Sequence, residues 1–175
     1  MNAGARVARG GILVFLHADT ALPRDWQRLV SETLARPGVA AGAFRFKIEG
    51  SGWGIRLIEW MTNLRSKYLQ TPYGDQVIFV KTDLFKEIGG YPETPIMEDF
   101  DLVRRLARRG RIAIAPADAR TSGRRWKKLG LLRTTLVNWI IVVAYSVGFS
   151  HETLARWYGR GRKAEVGRRK SEREN

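Results

Sequence analysis

The chain has 175 residues, 44% of them hydrophobic, with 31 Lys+Arg against 17 Asp+Glu for a formal net charge of +14. That is a globular mixture at the size of one domain, which excludes wholesale disorder and a pair of full-sized domains. There is no cysteine and only two histidines, His17 and His151, which excludes disulfides, thiolate zinc and cysteine nucleophiles, argues against a histidine-rich metal site, and fits a reducing compartment such as the cytoplasm.

The first structured signal is the continuous apolar run Gly11-Ile-Leu-Val-Phe-Leu16, which predicts a strand covered on both faces, as in a parallel sheet. It stops at His17-Ala-Asp-Thr20, and Pro23 then opens a helix to about Ala35, ended by Pro37-Gly38. Ala43 to Ile48 alternates as a strand, and a helix is expected from Trp53 to about Leu69. Gln76 to Val80 reads as a short strand, and Asp83 to Ile88 as a helix ending at Gly89-Gly90. Glu98 to Arg109 has the clearest helical period. At 100° per residue Phe100, Leu102, Val103, Leu106 and Ala107 share one face, opposite Arg104, Arg105, Arg108 and Arg109. Gly110 closes it, and Ile112-Ala-Ile114 reads as one more buried strand. Strands interleaved with helices predict a layered α/β domain.

From Leu129 to Phe149 the pattern becomes a strongly apolar helix, followed by a shorter one from about His151 to Tyr158. Leu136 to Phe149 is shorter than the roughly 20 apolar residues a membrane span requires, so a buried or membrane-surface helix is expected. Gly159 to Asn175 is basic and glycine-containing, and is expected to be disordered. The segments expected are therefore 1–128, 129–158 and 159–175. Charge divides unevenly among them. Residues 1–103 hold 12 Lys+Arg and 12 Asp+Glu, whereas residues 104–175 hold 19 against 5 and carry the whole excess. A field of one sign expects an anionic partner, and an acidic membrane surface suits it best; no nucleic-acid motif or aromatic stacking platform accompanies the arginines.

Four polar clusters sit where strands end or helices begin. His17-Ala-Asp19 follows the first strand, at the end where ligands gather in open α/β sheets, although Asp19 is equally suited to capping the next helix. In Tyr73-Gly-Asp-Gln76, Gly74 permits close backbone approach while Asp75 and Gln76 can bond a polyhydroxylated substrate; a plain turn is the competing reading. Glu98-Asp99 opens a helix, where the dipole favours acids whatever their function. On the wheel, however, Asp99 falls in the apolar arc beside Val103 and Leu106, whereas Asp101 falls with the arginines, so Asp99 is a candidate general base. Arg124-Arg125-Trp126 sets forked donors beside a flat ring, suited to a diphosphate and a sugar, or simply to a basic surface.

Taken in order, Met1-Asn-Ala-Gly4, Phe15-Leu-His-Ala-Asp-Thr20, Pro72-Tyr-Gly-Asp-Gln76, Met97-Glu-Asp99 and Arg124-Arg-Trp126 make the chain resemble the family 2 glycosyltransferases. The likeness extends to about Tyr158 and is nearest the bacterial branch of radical-SAM/selenodomain-associated transferases. It implies a GT-A fold and inverting transfer of a sugar from a nucleotide-sugar donor to an acceptor, lipid-linked or small. It implies that Asp19 matches the last carboxylate of the DxD motif, which holds a divalent cation (Mn or Mg) on the donor diphosphate. His17 stands in place of the first Asp, and imidazole is itself a manganese ligand. Asp99 matches the base that deprotonates the acceptor, Glu98 its companion, and Gly74, Asp75 and Gln76 the acceptor-side loop. Arg125-Trp126 resembles the end of the QxxRW motif, but Ser122 stands where Gln would be, so processive polymerisation is not implied.

Met1 aligns with an internal position of that family. The expectation is an N-terminally truncated GT-A-like domain with an apolar C-terminal helix and a basic tail, cytoplasmic and peripheral at the inner face of the membrane. Alone it is expected to be inactive, because the nucleotide-binding β-α-β unit is not in it. The alternative is a non-catalytic basic module that binds acidic membrane or nucleic acid.

Overall fold

The computed structural model describes residues 1–124 and 131–158. Five strands form one mixed sheet: β1 (Ile12–Phe15), β2 (Thr20–Ala21), β3 (Val39–Ile48), β4 (Ile78–Lys81) and β5 (Arg111–Thr121), in the order β1-β4-β3-β5-β2. Only β3 and β5 run parallel; β1 with β4, β4 with β3, and β5 with β2 are antiparallel. The chain is thus an α/β fold, with helices α1 (Asn2–Val7), α2 (Trp26–Leu34), α3 (Trp53–Tyr68), α4 (Thr82–Glu87), α5 (Glu98–Ala107), α6 (Leu131–Ser146) and α7 (residues 151–158).

The sheet is covered on both faces because its strands are apolar on both. Along β4, Ile78 and Val80 turn to a cluster holding Leu13, Phe15, Phe85, Leu102, Val103 and Leu106. Phe79 turns the opposite way, to Val30, Leu34, Phe44 and Ala115 under α2. Gly42 makes this possible: a Cβ there would collide with the Phe79 ring and approach the Ala113 carbonyl at 3.0 Å. A third cluster joins Met97 and Phe100 of the α5 N-terminal region to Ile141, Ala144 and Leu154 of α6 and α7.

Several expectations change in the folded chain. The first strand does bury Leu13 and Phe15, but it lies at the sheet edge and pairs antiparallel with β4, not within a parallel array. The second helix begins at Trp26 rather than Pro23, because Thr20 and Ala21 are taken into β2 against Thr121 and Arg120. The last strand runs to Thr121, far past Ile114. Its register against β3 slips between Ala115 and Asp118, so Pro116, which has no N–H to give, sits in a bulge. The first helix, α1, had no periodic signal; the Asn2 carboxamide anchors it by bonding both the Tyr91 N–H and its carbonyl, each at 2.9 Å. Gly89 and Gly90 do end α4, with φ of 81° and 70°, and Gly90 N–H reaches back to the Phe85 carbonyl. Among the described residues no helix is long and apolar enough to cross a membrane. The expected tail, 159–175, lies outside the described residues.

The outer half of β3 has an unusual neighbour. Beside β4 it pairs only at Ala41 and Gly42. Further along, side chains take the place of a strand. Gln76 Nε2 donates to the Phe44 carbonyl at 3.1 Å, and Asn63 both accepts from Phe46 N–H (2.7 Å) and donates to its carbonyl (3.0 Å). Glu59 then accepts from Ile48 N–H at 2.9 Å. Glu59 and Asn63 come from α3, so this helix turns its polar face inward, while Glu59 also pairs with Lys47 at 3.0 Å.

Candidate active site

Three of the four clusters meet at one cavity of 310 Å³, lined by His17, Asp19, Tyr73, Asp75, Glu98 and Asp99, with Met97 and Thr121 beside them and Ile141, Val142 and Tyr158 of the C-terminal helices closing one side. The topology explains the convergence. The chain leaves β1 at Phe15 and turns through His17, whose carbonyl accepts from Thr20 N–H at 3.1 Å, before entering β2. The single 3₁₀ turn Gly74–Gln76 leads into β4, the neighbour of β1, and α5 starts alongside.

Asp99 ties two of these segments together. Its Oδ2 accepts from Gly74 N–H and its Oδ1 from Phe100 N–H, both at 2.8 Å. Each oxygen keeps a second lone pair for another proton donor. Gly74 is wedged so tightly that a Cβ there would lie 2.5 Å from His17 Nε2 and 3.4 Å from Asp99 Oδ2. The segments that deliver Asp75 and Asp99 are each flanked by a left-handed residue that is not glycine, Val77 at φ 56° and Met97 at φ 66°. Such backbone is costly, most of all for a β-branched residue, and gathers at functional sites.

Arg65 of α3 stands behind the pocket and was not signalled by any motif. Its guanidinium carbon lies 3.6 Å from the centre of the Tyr73 ring, and its Nε and Nη2 are buried without a hydrogen-bond partner among the described residues. Burial pulls its pKa down, against the opposing influence of Tyr73, Asp75 and Asp99. An arginine nonetheless remains a cation in a folded protein. Tyr73 is pushed up by burial, and Asp99 and Asp75 push the same way while Arg65 opposes them.

Not every expected residue faces the cavity. Gln76 is fully buried, and its carboxamide is used internally, accepting from Ser66 Oγ at 2.6 Å and donating to Phe44. It therefore holds the loop onto α3 and β3 rather than meeting a substrate, a correction to its expected role. Gly74 contributes close packing and its N–H. Arg124 is exposed, does not line the cavity, and folds back to Ser122 Oγ at 3.0 Å. Arg125 and Trp126 lie outside the described residues. Asp101, assigned by the wheel to the arginine face, is instead half-buried. It accepts from the Tyr145 hydroxyl and lies 2.9 Å from His151 Nε2, linking α5 to α6 and α7. Its partners come from segments 44 and 50 residues away, so no local pattern could have identified it.

His17 and Asp19 line the same cavity, and among the described residues no three His, Cys, Asp or Glu side chains cluster closely enough to hold a metal ion alone. In comparison with known proteins, no family model matches the chain and none of the curated proteins matches it.

Proposed function

We propose that this α/β domain is GT-A-like and serves an inverting glycosyltransferase, with the cavity between β1, the Gly74–Gln76 turn and α5 as the sugar-transfer site. The observation that carries this reading is the meeting of His17-Asp19, Asp75 and Glu98-Asp99 at a single cavity from segments up to 82 residues apart. At 310 Å³ the cavity lies at the small end of ligand pockets, about 300–1,000 Å³. That suits a sugar with its diphosphate better than a whole nucleotide-sugar.

In this reading Asp99 takes the proton of an acceptor hydroxyl as its oxygen bonds to the anomeric carbon, and the carbon–oxygen bond to the diphosphate breaks with its electron pair leaving on the diphosphate. The backbone N–H groups of Gly74 and Phe100 fix the direction of the carboxylate. Asp75 and Glu98 offer further acceptors for sugar hydroxyls. Asp19 and His17 would hold a manganese ion, or Asp19 alone a magnesium ion, on the diphosphate oxygens. A bound cation of that kind would stabilise the charge on the departing diphosphate.

The test uses the longest product of the reading frame that contains this chain, assayed by nucleotide release from a panel of nucleotide-sugars. Asp99→Asn should lower turnover by about 10²–10⁴ while nucleotide binding persists. Near-normal turnover in that variant would remove Asp99 as the base.

A further inference from the structure

The amphipathicity of α3 is inverted. Its inward face carries Glu59, Asn63 and Ser66, all engaged in hydrogen bonds to β3 or to the neighbouring loop. Its outward face carries Trp53, Leu57, Trp60, Met61, Leu64 and Tyr68, with Trp53 81%, Trp60 60% and Tyr68 66% exposed. At 100° per residue these six fall within an arc of about 100°, a continuous stripe along the sixteen-residue helix. Exposed apolar side chains scattered singly are ordinary on a protein surface; a contiguous stripe rich in tryptophan marks a surface that something covers.

The stripe does not end with α3. Helix α6 touches α3 and exposes Leu136, Ile140 and Val143 along one side, with Val147 just beyond its end. The adjoining side of α6 supplies Ile141 and Ala144 to the third core cluster. Each of the two helices in contact therefore exposes an apolar side.

The charges around this face select its occupant. The single acid on α3, Glu59, is buried and paired with Lys47, while Arg56 and Lys67 border the stripe. No acidic residue occurs between Asp118 and Glu152, a stretch that includes the whole of α6. Apolar side chains with interfacial aromatics, a basic border and no exposed acid on either helix are the composition of a surface that rests in a bilayer interface. A second copy fits poorly, since it would bring together two chains that each carry a formal charge of +14.

We infer that the outward face of α3, extended by α6, docks on an anionic lipid bilayer, with α3 lying in the plane of the headgroups. The α3 part of this anchor lies upstream of the C-terminal segment for which the sequence alone predicts a membrane surface. It is independent of the chemistry assigned to the cavity.

The test is sedimentation of the 175-residue chain with vesicles of phosphatidylcholine alone and of phosphatidylcholine with about one third phosphatidylglycerol. Binding should favour the acidic vesicles, and Trp60→Gln with Leu64→Gln should weaken it by about tenfold or more. Both positions are solvent-exposed, so their replacement leaves the core intact. A second measurement does not depend on that variant: brominated acyl chains should quench the tryptophan emission, and Trp53→Phe with Trp60→Phe should retain binding while losing most of the quenching. Undiminished binding by the glutamine variant, undiminished quenching in the phenylalanine variant, or equal binding to neutral and acidic vesicles would each overturn the inference. Self-association that the glutamine substitutions abolish, without vesicle binding by the parent, would assign the face to a second copy instead.

Discussion

Gly74 and Asp99 illustrate how closely the site is fitted at the level of single residues. An alanine at position 74 would place its methyl against His17 Nε2, at 2.5 Å from the ideal Cβ. The colliding atom is the far end of a side chain, so the ring can swing away and the stability cost should stay within about 1 kcal/mol. The displaced imidazole, however, leaves the wall it shares with Asp19. In the longest product of the reading frame, calorimetry should show manganese binding that requires a nucleoside diphosphate, and Gly74→Ala should weaken it several-fold with little change in thermal midpoint. Nucleotide-independent manganese binding that survives Asp19→Ala would move the metal site elsewhere. Arg65 follows the opposite logic. A buried cation with two donors unmet among the described residues is expensive to keep, and its place beside Tyr73, near Asp75 and Asp99, offers a functional reason for keeping it.

Helix α3 is unlike its neighbours because it replaces a strand. The edge of β3 from Phe44 to Ile48 leaves backbone groups that water cannot reach, and Gln76, Asn63 and Glu59 satisfy them in turn. Asn63→Leu keeps the approximate volume but removes the Asn63 bonds to both the N–H and the carbonyl of Phe46, a residue only 2% exposed. With each orphaned group costing about 1–3 kcal/mol, urea unfolding should show a loss of roughly 2–5 kcal/mol. A loss below about 1 kcal/mol would mean that another donor and acceptor fill the gap. The polar side of α3 thus answers to a strand edge, and its opposite side carries the exposed apolar stripe.

Across the whole molecule, three tyrosines link the layers. Tyr91 packs edge-on to Phe15 beneath the sheet, Tyr73 lies under Arg65, and Tyr145 bonds Asp101 from α6. Burial is the largest cause raising all three above the ordinary value of 10.0, with nearby carboxylates adding to it. A phenol that ionises less readily in the fold than in the unfolded chain contributes stability that is complete below about pH 10 and is lost as pH rises further. Tyr73 and Tyr91 can each forfeit up to about 1.4 kcal/mol per pH unit in that window, and the more open Tyr145 less, because solvent screens it. The thermal midpoint should therefore hold steady from about pH 8 to 9.5 and fall steeply above 10. A midpoint unchanged to about pH 11 would show that these phenols titrate as freely in the folded chain as in the unfolded one.

Much of the element pattern is encoded in local periodicity. The amphipathic α5 with Phe100, Leu102, Val103 and Leu106 inward, the two-sided apolar run of the first strand, the α3 span to within a residue, and the glycine stop after α4 all follow from spacings of a few positions. The polar residues around the cavity were also legible, since His17, Asp19, Asp75, Glu98 and Asp99 stand at element ends. Long-range packing alone settles which strands pair, and that the edge of β3 is completed by side chains. It also turned Gln76 into an internal strut and drew Asp101 out of the arginine face toward Tyr145 and His151. These outcomes depend on partners tens of residues away, where side-chain and backbone groups compete for the same hydrogen bonds. A pattern of nearest neighbours carries no record of which competitor wins.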